Sequence, residues 1–338
     1  MQSPRYGYNP YYNYLPPETP MQKEKKRLRK DGNAIGVLML LLIATSQLTY
    51  TLVALLLTWI GFLPTGALQQ QYLGLDNTTF LLVYSVIYAI AMGLPTLLVC
   101  GVGRRRFSPL APTKPQPSGV PFLSILGGVG ICMAANIVSN IIAIIFVDLG
   151  ITVPDQPQLM ENTVTSLLLN LFVIAVLPAI LEELMFRGCV LRLLRPYGNF
   201  FAIIISSLLF GLMHGNLRQI PFATMVGICL GFLYISTDNI WIPIGVHFCN
   251  NAFSVLMEYA AFQLPEGKTT YFYAFAIYGL AAFGLVAAVC LLVRHGQHLR
   301  PQPRRSLLSG LSRTITLVKA PPLLIAVILF ILLMILGM

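Results

Sequence analysis

Charge is what this chain has least of. Only 10% of its 338 residues are Asp, Glu, Lys or Arg, 56% are hydrophobic, and the mean hydropathy is +0.75. A water-soluble domain carries about 25% charged residues, so most of this surface is expected to face something other than water. Acidic side chains are scarcer still, 12 against 22 basic ones. No H-E-x-x-H occurs, and no C-x-x-C; the six cysteines (Cys100, Cys132, Cys189, Cys229, Cys249 and Cys290) are scattered through apolar stretches. That spacing argues against a disulfide framework or a cysteine zinc cage and for small buried hydrophobes. A cleavable leader is not expected either, because the first 33 residues are polar and the run that follows is too long and apolar for an h-region.

What is present is a series of apolar runs of the roughly 20 residues needed to cross a bilayer. They predict an all-α, polytopic helical membrane protein with eight to nine transmembrane helices. The nine expected helices lie near 35–63, 79–99, 122–147, 164–194, 200–213, 222–235, 240–259, 272–293 and 322–336. The net charge of +10 does not point to nucleic acid. It comes from blocks beside the membrane runs: Lys23 to Lys30, Arg104–Arg106, Arg187 to Arg195, and Arg294 to Lys319. Basic flanks mark the cytoplasmic side, whereas the loop holding Asp148, Asp155 and Glu161 has no basic residue and reads as outside. The expected orientation is amino terminus in, carboxyl terminus out. This count leaves one conflict: Glu182 falls near the inner end of the fourth helix and His214 near the outer end of the fifth.

Four ionisable residues stand where hydrocarbon should exclude them: Glu182, Glu183, His214 and His247. Polar groups in a membrane helix cost several kcal/mol unless paired or facing a cavity, so they are functional candidates by default. Residues i and i+4 share a helix face. Glu183 and Arg187 are thus expected to form an internal ion pair, leaving Glu182 about 100° round the helix and free to act as a base. Phe210 precedes His214 by one turn, and His247 precedes Asn251 by one turn. Pro178, one turn before the glutamates, should loosen the helix and free backbone groups. A carboxylate and an imidazole could activate water, while His247 and Asn251 donate to a tetrahedral oxygen. Two histidines and a glutamate could equally bind zinc with an open position. The sequence leaves the metal-assisted and metal-free readings open, as it does a proton-coupled transporter, although no inverted repeat is found, and a silent scaffold or immunity protein.

The segments Glu182-Glu183-Leu184-Met185-Phe186-Arg187, Phe210-Gly211-Leu212-Met213-His214 and His247-Phe248-Cys249-Asn250-Asn251 resemble, in order, the three motifs of the CAAX-protease and bacteriocin-processing family of intramembrane endopeptidases, related to the type II prenyl-protein protease. The resemblance covers roughly residues 160–260. It implies that Glu182 and His214 activate the water and that His247 and Asn251 form the oxyanion site. It also implies a membrane-associated protein or peptide as substrate, prenylated or bacterial, and a bacterial plasma membrane is favoured. The expected organisation is a Tyr/Pro-rich disordered and then basic cytoplasmic tail over 1–33, N-terminal membrane helices over 34–150, a catalytic core over 151–262 and C-terminal membrane helices over 263–338.

Overall fold

The computed structural model describes residues 17–102, 115–151, 159–265, 267–301 and 303–336, with side chains described outside 100–102. The Arg104–Arg106 block, Asp155, the Cys100 side chain and the tyrosines of the first sixteen residues lie outside this set. The described residues are all helix and connection, without a strand. The helices are α1 (Pro20–Trp59), α2 (Asn77–Val102), α3 (Val120–Asp148), α4 (Val164–Tyr197), α5 (Asn199–Met213), α6 (Gln219–Thr237), α7 (Trp241–Ala261), α8 (Thr269–His295), α9 (Gly310–Val318) and α10 (Pro321–Leu336).

Six of these helices are long and apolar enough to cross a membrane, or seven if the pair α9–α10, bent by 79°, is one span. The multi-pass helical class is as expected; the count of eight to nine is higher than length and composition support. Two expected crossings account for the difference. Helix α5 has 15 residues, about 22 Å of rise, short of a hydrocarbon core of about 30 Å. Helix α7 is long enough at 21 residues, but His247, Asn250, Asn251 and Glu258 dilute its apolar run.

The first helix begins some fifteen residues before the expected Ile35, so the basic stretch from Pro20 onward is helical. The cause is local. Thr19 and Gln22 form a reciprocal capping box, the Thr19 hydroxyl accepting from the Gln22 N–H and the Gln22 side chain accepting from the Thr19 N–H at 2.8 Å, with Pro20 at the first helical position. The Lys, Arg, Glu and Gln residues that follow are good helix formers. Helix α9 was also unexpected, because its residues read as part of a basic block. Ser309 caps it by accepting from the Ser312 N–H.

Two clusters make up most of the core. One is built on α1, α4, α5 and α10 and takes in Met92 of α2, Tyr234 of α6 and Ile244 of α7; the other joins α3, α6 and α7, with α8 against it. Helix α10 runs parallel to α1: Gly36 meets the backbone at Pro322 and Leu323, and Ser46 and Gln47 lie level with Phe330 and Leu333. Helices α3 and α8 approach backbone to backbone, Gly130 against Gly284 and Gly127 against Ala288. Small residues at a membrane seam allow this closeness. Gly211, Gly227 and Gly231 also pack against neighbouring side chains, whereas Gly215 (φ +61) is a turn residue facing open space. Gly130→Leu is therefore expected to lower the thermal midpoint in detergent markedly. Gly93→Leu, whose Cβ would meet nothing within 4 Å, should leave it nearly unchanged. Equal midpoints for the two variants would contradict the seam.

Among the described residues every basic side chain except Arg187, Arg218 and Lys268 gathers at one end of the bundle. That end is held by polar contacts: Tyr197 donates to Asp31 at 2.7 Å, Arg195 pairs with Asp238 at 2.5 Å, Arg313 donates to the Tyr197 carbonyl, and Glu24 accepts from Ser306 and the Leu307 N–H. Asp238 thus occupies a turn (φ 48) and an ion pair.

Candidate active site

Helix α4 owes its shape to winding changes around the two glutamates. Residues Leu177–Glu183 are α-helical, flanked by π-helical turns at Leu171–Val176 and Leu184–Leu191. Such turns are rare and concentrate at functional sites. Pro178 has no N–H to offer the carbonyl four residues back, that of Ile174. Asn251 on α7 supplies the donor, its Nδ2 lying 2.9 Å from the Ile174 oxygen. The same device recurs on α2, where Pro95 leaves the Ala91 carbonyl to the Thr45 hydroxyl of α1, 2.9 Å away. Asn251→Leu should cost about 1 kcal/mol by taking the donor from the Ile174 carbonyl, and Pro178→Ala in that background should recover part of it. A thermal-unfolding cycle over the four proteins reads the coupling.

The α4–α5 hairpin turns at Gly198, whose φ of 124° favours glycine. Residues equidistant from that turn stand level. Phe186 and Phe210 are each twelve residues from it, and their rings meet edge to face at 5.1 Å. Glu182 and His214 are each sixteen residues from it. The depth conflict disappears because α5 is short: His214 ends a partial crossing and does not reach the far surface.

Glu183 and Arg187 form the expected ion pair at 2.8 Å, both essentially inaccessible. The guanidinium also donates to the Gly227 carbonyl of α6 at 3.0 Å and lies 4.7 Å above the Phe210 ring. His247 bridges the two glutamates. Its Nδ1 is 3.0 Å from Glu183 Oε1 and its Nε2 is 3.9 Å from Glu182 Oε2. A carboxylate only accepts, so Nδ1 carries the hydrogen and Nε2 is the free nitrogen. His214 Nδ1 likewise donates to the Phe210 carbonyl at 2.9 Å, leaving its Nε2 free. Phe210 is the shared wall, with His214 and His247 both edge-on to it at 5.1 and 6.0 Å.

Tyr88 on α2 is the member that sequence reasoning missed. Its hydroxyl donates to Glu182 Oε1 at 2.5 Å, while Glu182 Oε2, also buried, has no hydrogen-bond partner among the described residues. Tyr88 and His214 open together onto a cavity of about 350 Å³ bounded by α1, α2, α5 and α10, with Tyr50, Tyr84, Ser46 and Gln47 on its walls. The only sequence signal was the spacing of Tyr84 and Tyr88, two phenols one turn apart in an apolar helix.

Five of the six expected residues, Glu182, Glu183, Arg187, His214 and His247, lie around Phe210. Asn251 reaches the neighbouring Ile174 carbonyl, bonded also to Asn250 at 3.0 Å. The residues do not fit a metal ion in this arrangement. Glu183 is engaged by Arg187 and His247, and among the described residues no three His, Cys, Asp or Glu side chains converge as a ligand set. Of the described cysteines, Cys132, Cys189 and Cys229 are buried and Cys249 and Cys290 half-buried.

Comparison with known proteins falls on this same stretch. Residues 164–253 match the family model described as Type II CAAX prenyl endopeptidase Rce1-like. Over 105 residues the chain is 34% identical to the "Putative membrane peptidase YdiL" of Bacillus subtilis (strain 168), a match spanning 31% of this chain and 43% of that protein. Over 209 residues it is 22% identical to the "Membrane-embedded CAAX protease MroQ" of Staphylococcus aureus (strain USA300), spanning 58% of this chain and 83% of that one. No solved structure matches the chain. Residues 164–253, the stretch that winds the two glutamates between π turns and sets His214 and His247 about Phe210, are thus similar to the Rce1-like CAAX prenyl endopeptidase family, and the chain spans under half the length of the Bacillus relative it matches.

Proposed function

We propose that the protein is a membrane-embedded endopeptidase that hydrolyses a peptide bond of a membrane-associated protein or peptide, with Glu182 as the general base. One observation carries the reading: a buried carboxylate oxygen without a hydrogen-bond partner among the described residues, Glu182 Oε2, faces the His247 Nε2 at 3.9 Å. That distance is too long for a direct bond. It is the separation of two groups that both bond one oxygen at about 2.8 Å from adjacent directions.

In the proposed reaction Glu182 Oε2 takes a proton from water as the water oxygen attacks the scissile carbonyl carbon. The same proton then passes to the departing amide nitrogen as the C–N bond breaks. Tyr88 holds Oε1 and so aims Oε2. His214, with its Nδ1–H fixed on Phe210, offers Nε2 to orient the attacking water. His247 in its protonated form donates to the tetrahedral oxygen, with the second Asn251 amide hydrogen as partner. The cavity beside Tyr88 and His214 is the route by which a polypeptide segment reaches the site.

The basic end of the bundle is assigned to the cytoplasm and the membrane to a bacterial plasma membrane, so the amino terminus lies inside. The direct test is a reconstituted protein offered membrane-anchored peptides, with new termini read by mass spectrometry. Wild type should cleave, and the double variant Glu182→Ala, His214→Ala should not, while keeping its elution volume and melting transition. Undiminished cleavage by a folded double variant sinks the proposal.

A further inference from the structure

The first fourteen residues of α1 extend beyond its apolar run, and α9 lies across them. Helix α1 has 40 residues, about 60 Å of rise, twice the hydrocarbon thickness. Its unbroken apolar run begins only at Ile35, which sets Lys25 to Asn33 at headgroup depth. Helix α9 is bent by 79° from α10 and packs at Gly32, where its Leu317 and the adjoining Ala320 touch α1. With α10 running along the membrane-spanning α1, the 79° bend turns α9 across that direction, nearly in the membrane plane. It is strongly two-sided, with Leu311, Ile315 and Val318 exposed on one face and Ser312, Arg313 and Thr316 on the other. An amphipathic helix in that attitude rests at the interface.

Between α1 and α9 runs a cleft of about 680 Å³. Five cations line it, Lys25, Lys26, Arg29, Lys30 and Lys319, together with the Ser309, Ser312 and Thr316 hydroxyls, and no acidic residue does. Lys26 pairs with Glu18 at 3.2 Å; the other four have no ion pair among the described residues. Four unpaired cations held together repel one another, so the arrangement favours an anion. The amino end of α9 adds N–H groups at the Ser309–Ser312 side. Leu311 and Ile315 complete the wall and make the cleft half apolar. Cations and hydroxyls on one side, with aliphatic side chains on the other, match an amphiphile with an anionic head.

We propose that this cleft is a binding site for an anionic phosphate group, presented by a phospholipid headgroup whose acyl chains leave along Leu311 and Ile315. The site is independent of the peptidase reading, since none of its residues touches the Glu182 cluster. A free phosphate shares the chemistry, and the test separates the two sources.

The full chain in neutral detergent is titrated with phosphatidylglycerol, phosphatidylcholine or inorganic phosphate, and the thermal midpoint is followed. Phosphatidylglycerol should raise the midpoint saturably and phosphatidylcholine should not. Lys25→Gln, Arg29→Gln, Lys30→Gln and Lys319→Gln together should weaken the apparent affinity by at least about ten-fold, given about 1 kcal/mol for each basic residue near an anionic surface. Ser312→Asp, a carboxylate favourable at the third position of a helix, should do likewise without unfolding α9. The matched variant Lys23→Gln, Arg294→Gln, Arg300→Gln and Arg305→Gln removes as much charge at the same end but outside the cleft, and it should bind as wild type does. Equal stabilisation by phosphatidylcholine, or equal loss in the matched variant, overturns the site. Saturable stabilisation by inorganic phosphate that the cleft variants abolish keeps the anion site and overturns the lipid as its source.

Discussion

Glu182→Gln is expected to lower kcat by about 10²–10⁴-fold with KM little changed, the loss typical of removing a general base. The substitution is chosen for its economy of change. Glutamine has the same shape, its carbonyl oxygen accepts from the Tyr88 hydroxyl as Oε1 does, and the two oxygens of the carboxylate already differ in environment. What is lost is the capacity of Oε2 to take a proton. Binding through the cavity at Tyr84, Ser46 and Gln47 is untouched, so the effect belongs on the chemical step. Tyr88→Phe is the companion. It keeps the base but frees Oε1, and a hydrogen bond to a charged group is worth about 1.5–3 kcal/mol. A positioning residue of that kind should cost about 10–100-fold in kcat, clearly less than the loss of the base. Steady-state rates on one cleaved peptide decide it. A Glu182→Gln enzyme within a factor of two of wild type would remove Glu182 from the reaction, and a Tyr88→Phe defect confined to KM would move Tyr88 from aiming the base to binding substrate.

Much of the bundle was legible because membrane helices announce themselves by length. The apolar runs near 79–99, 122–147 and 272–293 lie within α2, α3 and α8 as observed. The ends were harder, since they depend on short-range chemistry that an apolar run does not contain. The Thr19–Gln22 capping box starts α1 inside a stretch that reads as a polar tail, and α9 hides in a basic block. The candidate site divides along the same line. Glu183 with Arg187 was legible because i and i+4 on one helix must be neighbours. The approach of His247 to both glutamates depends on α7 packing against α4, and no spacing within either helix encodes that. Tyr88 stands 94 residues from Glu182 and was silent for the same reason. Asn251 adds a second task. Its spacing from His247 suggests a chemical role, and the carbonyl released by Pro178 takes one of its hydrogens as well. Proline and its remote donor are a pair that a sequence displays only as two separate residues.

Arg187→Met should destabilise the protein by about 3–5 kcal/mol, the cost of stripping the partner from a buried charge. Met fills much of the same volume, so the loss is electrostatic before it is steric. Glu183 would retain only His247 Nδ1, and its other oxygen already lacks a partner. The Gly227 carbonyl would lose its donor and Phe210 the cation above its ring. Adding Glu183→Gln to Arg187→Met should recover a large part of the stability, because a neutral pair leaves no charge uncompensated. It should not recover activity, since His247 then loses the carboxylate that fixes its tautomer. Arg187→Lys is no remedy: one ammonium cannot repeat the planar fork that reaches Glu183 and the Gly227 carbonyl together while lying flat on Phe210. Thermal unfolding in detergent of the four proteins closes the cycle. A coupling near zero between positions 183 and 187 would mean that water reaches this pair, and a water-accessible Glu183 would undo the reading of Glu182, its neighbour, as a base withdrawn from solvent.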